Sequence, residues 1–245
     1  MAAIGKKRKK RSSFKNSIAF CVSLALILAL ALSPLFSIKT LEATEMERYK
    51  KSEILETGEI REGENLFRAY LGNARKKLLA NPYYESAELQ IKGLNSLAIV
   101  IKERKVRGYV PFMGSYLCID EYGRVLETAS YFTKPLPLVV GLEFPGFREG
   151  ELLPVENRDA FDIVLKIAQV MTKYEMLGSI VKIDVSNTEK IYAHMDNIEI
   201  ILGGIENIDE KIRTMSEIVK TIPGDDRGTL DISDLSKPII FKYLT

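Results

Sequence analysis

The acidic side chains are the first candidates for chemistry. There are 33 Asp and Glu residues, and two carboxylates flanking a glycosidic bond can act as acid and base. None of them sits in a recognisable catalytic frame, so a solvated surface is the expected home for most. The sole histidine, His194 in "IYAHM", cannot build a metal cluster alone. No CxxC, HxxxH, HExxH, GxSxG or GxGxxG spacing occurs, nor a phosphate-binding Gly-Lys-Ser/Thr run. The residues therefore imply no cofactor, no metal and no catalytic centre. Glu103-Arg104 is a candidate binding pair, or an ion pair at a domain junction. Cys21 and Cys118 stand in different surroundings and are not expected to pair. Cys118, in the apolar run "SYLCID", reads as a small buried hydrophobe.

Charge divides the chain more sharply than chemistry does. The net charge is +2, yet Lys6, Lys7, Arg8, Lys9, Lys10, Arg11 and Lys15 all precede residue 16. Without these seven, 28 basic residues face 33 acidic ones. The next stretch, "NSIAFCVSLALILALALSPLFSI", carries no charge from Asn16 to Ile38. About 20 apolar residues suffice to cross a bilayer as a helix. Basic residues favour the cytoplasmic side, which orients the N-terminus inward and the rest outward. A nucleic-acid patch is the competing reading of the basic run, and its place beside an apolar span argues against it. A cleaved signal peptide is the competitor for the span itself. Its apolar region is shorter, about 7–15 residues.

Beyond the span, the chain reads as two units. "FSIKTLEAT" alternates as a first strand, and residues 47 to 57 suggest a short helix. A second helix is expected from Leu66 to Leu79, with Phe67, Leu71, Ala74 and Leu78 on its core stripe. Asn81-Pro82 stops it. Strands follow in "ESAELQIKG" and "LAIVIKER". Further on, short strands are expected near 109–111, 115–119 and 124–127. Asp120 and Gly123 supply the turn between the last two. A long helix over 156–177 carries Ala160, Val164, Ile167, Met171 and Tyr174 as a stripe. Strands at 181–185, 191–194 and 198–202 lead to a helix at 208–221, where Asn207 and Glu210 have capping-box spacing. "PIIFKYL" is the final strand.

The ordered set in residues 63 to 104 resembles the POTRA module. The residues that carry it are Gly63, Asn65, Leu66, Phe67, Leu79, Pro82, Ala87, Leu89, Leu97, Ile99, Ile101, Glu103 and Arg104. "YLCIDEYGRVLE" and "LPLVVG" are similar to the start of the β domain in the FtsQ/DivIB cell-division family. Lys105, Val106 and Arg107 depart from that family's Pro-containing turn. The resemblance implies an α+β fold in four parts. These are a basic cytoplasmic tail at 1–15, a transmembrane helix at 16–38, a β-α-α-β-β POTRA-like domain at 39–105 and a mixed α/β "β domain" at 106–245.

The function so implied is a non-enzymatic, single-pass scaffold of the bacterial divisome, sited at the division septum. Its partners would be other bitopic division proteins, of FtsL, FtsB or DivIC type, and septal wall synthases. No nucleic-acid partner is expected. A membrane-anchored wall hydrolase and an extracytoplasmic sensor or binding domain are the alternatives. In the family a partner segment docks beside the last strands, which here points to Ile239, Ile240, Phe241 and Tyr243. The pattern places Ile239, Phe241 and Tyr243 on one side of that strand and Ile240, Lys242 and Leu244 on the other. The competing reading is a strand that only completes the core.

Overall fold

Leu97, Ile99 and Ile101 alternate along one strand, and all three are buried. Around this apolar row the first unit assembles. A computed structural model of the protein describes residues 10–244, with side chains from residue 16 onward. The expected basic tail at 1–15 lies outside the described side chains. The chain divides into two compact units, Met1–Glu103 and Arg104–Thr245.

The first unit opens with helix α1 (Lys10–Ala31) and a single 3-10 turn at Pro34–Phe36. Strand β1 (Thr40–Ala43) is followed by helices α2 (Lys51–Gly58), α3 (Leu66–Leu71) and α4 (Ala74–Leu78). Strands β2 (Tyr84–Gly93) and β3 (Ser96–Glu103) complete it. The sheet order is β1-β3-β2, with β1 parallel and β2 antiparallel to the central β3. Leu41 pairs with Leu97, and Ala87 with Ile101, so the buried rows of all three strands share one face. Ile54, Leu66 and Leu78 supply buried helical residues to the same unit.

Three expectations about this unit need correction. The helix expected over 66–79 is two helices. Gly72 between them is extended, and a Cβ there would stand 2.8 Å from the Arg68 carbonyl oxygen. The break resets the helical phase. Leu66, Ala69, Ala74 and Leu78 are buried, whereas Leu71, expected on the core stripe, is 78% exposed. The module is thus β-α-α-α-β-β. The apolar helix also stops at Ala31, not at Ile38. The Ser33-Pro34 step ends it, and Ile38 is buried in the first unit. Among the described residues no helix is long and apolar enough to cross a membrane.

The second unit is one nine-stranded sheet. Its first strands are β4 (Gly108–Phe112), β5 (Ser115–Ile119), β6 (Val125–Ala129) and β7 (Leu138–Val140). Helix α5 (Arg158–Lys173) leads to β8 (Lys182–Asp184), β9 (Ile191–His194) and β10 (Ile198–Gly203). Helix α6 (Ile208–Val219) leads to β11 (Gly228–Asp231) and β12 (Ile240–Tyr243). The order is β12-β11-β10-β9-β8-β7-β4-β5-β6, so β12 and β6 are the margins.

Val164, Ile167 and Met171 of α5 and Ile212 and Met215 of α6 join Leu117, Ile183, Ile200 and Leu230 in one buried core. Asn157 caps α5, its Oδ1 accepting from Ala160 N at 3.1 Å. The capping box expected on α6 is absent. Asn207 has left-handed backbone (φ 54°) and makes no side-chain cap, because an N-cap needs extended backbone to reach the first turn. Lys211 of α6 is buried instead, and its Nζ donates to the carbonyls of Leu202 and Gly204 at 2.8 and 2.9 Å. Burial holds its pKa down.

Candidate docking edge of the second unit

β12 is a short strand with one bonded side. It runs antiparallel to β11, pairing Leu230 with Phe241 and Gly228 with Tyr243. Among the described residues no strand pairs with its outer side. That side presents unpaired backbone donors and acceptors, the groups an added strand would use.

Local contacts fix the strand's path. The Phe241 ring lies over Gly228, where a Cβ would stand 2.6 Å from its Cζ and 2.4 Å from the Lys242 carbonyl oxygen. A glycine is therefore required there on packing grounds. Leu244 N donates to Arg227 O at 2.8 Å. Two aspartates shape the approach to the strand. Asp231 Oδ1 accepts from Ser233 N and Oγ, and Asp234 Oδ1 accepts from Ser236 N and Oγ. The Ser236 hydroxyl, then Lys237 and the Ser236 amide, pull the Asp234 pKa down to about 2. The Ser233 hydroxyl lowers Asp231 in the same way.

The four expected edge residues divide by burial. Ile239 and Phe241 are half-buried and pack against the core. Ile240 is 53% and Tyr243 64% exposed. Tyr243 shares the side of Phe241 and meets its ring edge-on, with centroids 4.8 Å apart. Leu244 is exposed as well. The strand thus has a part that completes the core and a part that does not.

Arg104 has a partner the sequence reading missed. Its Nη1 donates to Asp120 Oδ2 at 2.9 Å; the Asp120 side chain is buried and that of Arg104 partly buried. Asp120 also does the expected turn work, its Oδ1 accepting from Tyr122 N and Arg124 N. The two roles share one carboxylate. Nothing local in the sequence signals a pair 16 positions apart. Glu103 ends β3, opposite Tyr84 of β2.

Every described carboxylate with a shifted pKa, namely Glu59, Asp184, Asp209, Asp231 and Asp234, is shifted downward. A glycosidase acid needs the opposite shift. Among the described residues no three His, Cys, Asp or Glu side chains gather as a metal site. Burial, then Lys182, lowers the pKa of His194.

Comparison with known proteins adds a domain match and several relatives. Residues 36–104 match the model of the FtsQ-type POTRA domain. Residues 36–104 are thus an FtsQ-type POTRA domain, and the chain as a whole is similar to DivIB and FtsQ cell division proteins. It is 26% identical to the cell division protein DivIB of Clostridium tetani, over 85% of this chain and 80% of that one. DivIB of Clostridium botulinum strain Hall is 25% identical, over 97% and 94% of the two chains. FtsQ of Corynebacterium glutamicum is 24% identical, over 84% and 91%. A solved structure, the major extracytoplasmic domain of the trans isomer of DivIB from Geobacillus stearothermophilus, covers 49% of this chain and 95% of its own. It overlaps at 17% identity with a TM-score of 0.34. The relatives support a role in cell division.

Proposed function

We propose that this protein is a non-enzymatic, membrane-anchored scaffold of the division machinery. It gathers extended segments of other bitopic division proteins, of FtsL, FtsB or DivIC type, and through them the septal wall synthases. The observation that carries this reading is the outer side of β12, unpaired and flanked by exposed Ile240, Tyr243 and Leu244. An extended peptide adding there as a tenth strand would satisfy its own backbone and that of β12 together.

α1 is the anchor in this reading. Its described side chains from Asn16 to Leu30 are all exposed, and none carries a charge. A helix apolar on all sides calls for an apolar surround. At ~1.5 Å per residue its 22 residues reach roughly 33 Å. The uncharged part from Asn16 to Ala31 makes up about 24 Å of this, short of a hydrocarbon core of ~30 Å, so the apolar residues after Ala31 would have to complete the crossing. The basic residues before Asn16 would keep the N-terminus cytoplasmic.

A fluorescent fusion of the full chain, imaged in dividing cells, tests the role. A septal ring is the expected pattern, and a uniform envelope signal would overturn it. Protease added to spheroplasts tests the topology. It should remove both units and leave a short membrane-bound stub, whereas a protected full-length chain would sink the anchor.

A further inference from the structure

α1 does not hang from the first unit by a loose tether. Asn65, the N-cap of α3, uses both ends of its amide. Its Oδ1 accepts from Phe67 N and Arg68 N, each at 3.1 Å. Its Nδ2 donates to Ala31 O at 2.9 Å and lies 3.4 Å from Ser33 O. Ala31 closes α1, so this carbonyl is one that the helix itself leaves unpaired.

Asn95, in the turn between β2 and β3, works in parallel. Its Nδ2 donates to Leu35 O at 2.8 Å and Ser37 O at 2.6 Å. Its carbonyl accepts from Lys39 N and Thr40 N. Ser37 Oγ donates to Gly63 O, and Ile38 N to Glu64 O. The Phe36 and Phe67 rings meet edge-on, 5.0 Å apart. From Ala31 to Thr40, then, the backbone is held at almost every step.

This clamp gathers exposed leucines at the end of an apolar helix. Leu32 follows the gripped Ala31 and is 62% exposed. Leu35, whose carbonyl Asn95 holds, is 68% exposed, and Leu94, the neighbour of Asn95, is 71% exposed. Exposed Lys39 and Lys92 stand close in sequence to Leu35 and Leu94, and exposed Arg68 close to Asn65. Apolar side chains backed by aromatics and long cations match the border between acyl chains and phosphate headgroups. Their continuity with α1 says what covers them.

We propose that the α1-proximal end of the POTRA unit is itself a lipid-contacting surface. Leu32, Leu35 and Leu94 enter the bilayer interface, and Asn65 and Asn95 hold the unit against it. The proposal rests on the membrane reading of α1. It makes the first unit a rigid extension of the anchor, with a fixed height above the bilayer.

The test uses the full chain in vesicles of phosphatidylcholine and phosphatidylglycerol at about 3:1. With Cys21→Ser and Cys118→Ala as background, single cysteines replace Leu26, Leu35, Glu56 or Leu94 and carry an environment-sensitive fluorophore. Labels at 35 and 94 should emit blue-shifted light, quenched by a shallow lipid-borne nitroxide and shielded from aqueous iodide. The label at 56, on the exposed side of α2, should behave oppositely. A lipid-buried label at 26 with aqueous labels at 35 and 94 overturns this proposal and leaves the anchor standing. An aqueous label at 26 overturns the anchor, and the proposal with it. Asn65→Ser keeps an α3 cap but loses the grip on Ala31. It should cut nitroxide quenching at 35 at least twofold with unchanged circular dichroism. Undiminished quenching would refute the clamp.

Discussion

Arg104 Nη1 stands 2.9 Å from Asp120 Oδ2, and the Asp120 side chain is only 2% exposed. The same carboxylate binds the amides of Tyr122 and Arg124 through its other oxygen. Arg104 is the first residue of the second unit, so the pair pins that unit's entry segment onto the β5–β6 turn. Arg107 N, donating to Ile119 O at 2.8 Å, adds a second point of attachment.

Removing Asp120 leaves the largely enclosed Arg104 charge and two amides without their acceptor. Asp120→Ala should therefore destabilise the second unit by ~3–5 kcal/mol, the usual cost of breaking a buried pair. Urea denaturation of a fragment that carries the second unit measures this directly. A loss below about 1 kcal/mol would show that the pair behaves like a solvent-exposed one.

The split between α3 and α4 separates two leucines the sequence pattern had placed together. Leu78 is fully buried, while Leu71 is 78% exposed. Leu78→Ala should cost ~2–5 kcal/mol and lower the melting temperature clearly. Leu71→Ala should stay within about 0.5 kcal/mol. Equal losses at both positions would restore the single continuous helix.

That contrast marks what was legible in the residues. Strand alternation in Leu97, Ile99 and Ile101, and the stripe of Val164, Ile167 and Met171, follow from local periodicity and agree with the burial found. Gly72 carries the missing signal in α3–α4, since a single glycine inside an apolar pattern does not announce whether it bends or ends a helix. Asn207 shows the same limit, because capping-box spacing says nothing of a left-handed φ. Ile240, Phe241 and Tyr243 lie on β12 and Ile239 just before it, but their division by burial was not visible. Phe241 is drawn inward by Gly228, which lies 13 positions earlier. Arg104 and Asp120 are likewise joined only by the fold.

Acid should loosen the approach to β12. The Asp234 pKa is held at about 2 against an ordinary 3.8, so its ionised form is favoured by the folded loop. A depressed folded pKa gives a contribution that is full above the unfolded pKa. It fades as pH falls from about 4 towards 2. Asp231, lowered by Ser233, acts in the same direction. Amide exchange of Leu230 and Phe241, corrected for intrinsic rate, should therefore lose protection across that window. Asp234→Asn should flatten the change. Equal protection at pH 5 and pH 2.5 would contradict the assignment.

The decisive substitutions concern the two aromatic rings of β12. Phe241 packs on the core and covers Gly228, whereas Tyr243 is 64% exposed and meets the Phe241 ring edge-on. Tyr243→Asp should hence leave stability within about 0.5 kcal/mol, as an exposed substitution does. It should abolish co-purification of bitopic division partners and septal recruitment, because a desolvated charge beside an added strand is unfavourable. Phe241→Asp should instead unfold the sheet margin, with a loss of about 3–5 kcal/mol or more. Gly228→Ala supplies an arm without charge. Its methyl would meet the Lys242 carbonyl oxygen at 2.4 Å, a backbone atom that yields only if β12 shifts. Binding should fall with the core intact by circular dichroism. If Tyr243→Asp unfolds the unit, the strand is core throughout. If it folds and still binds its partners, the outer side of β12 is not where they dock.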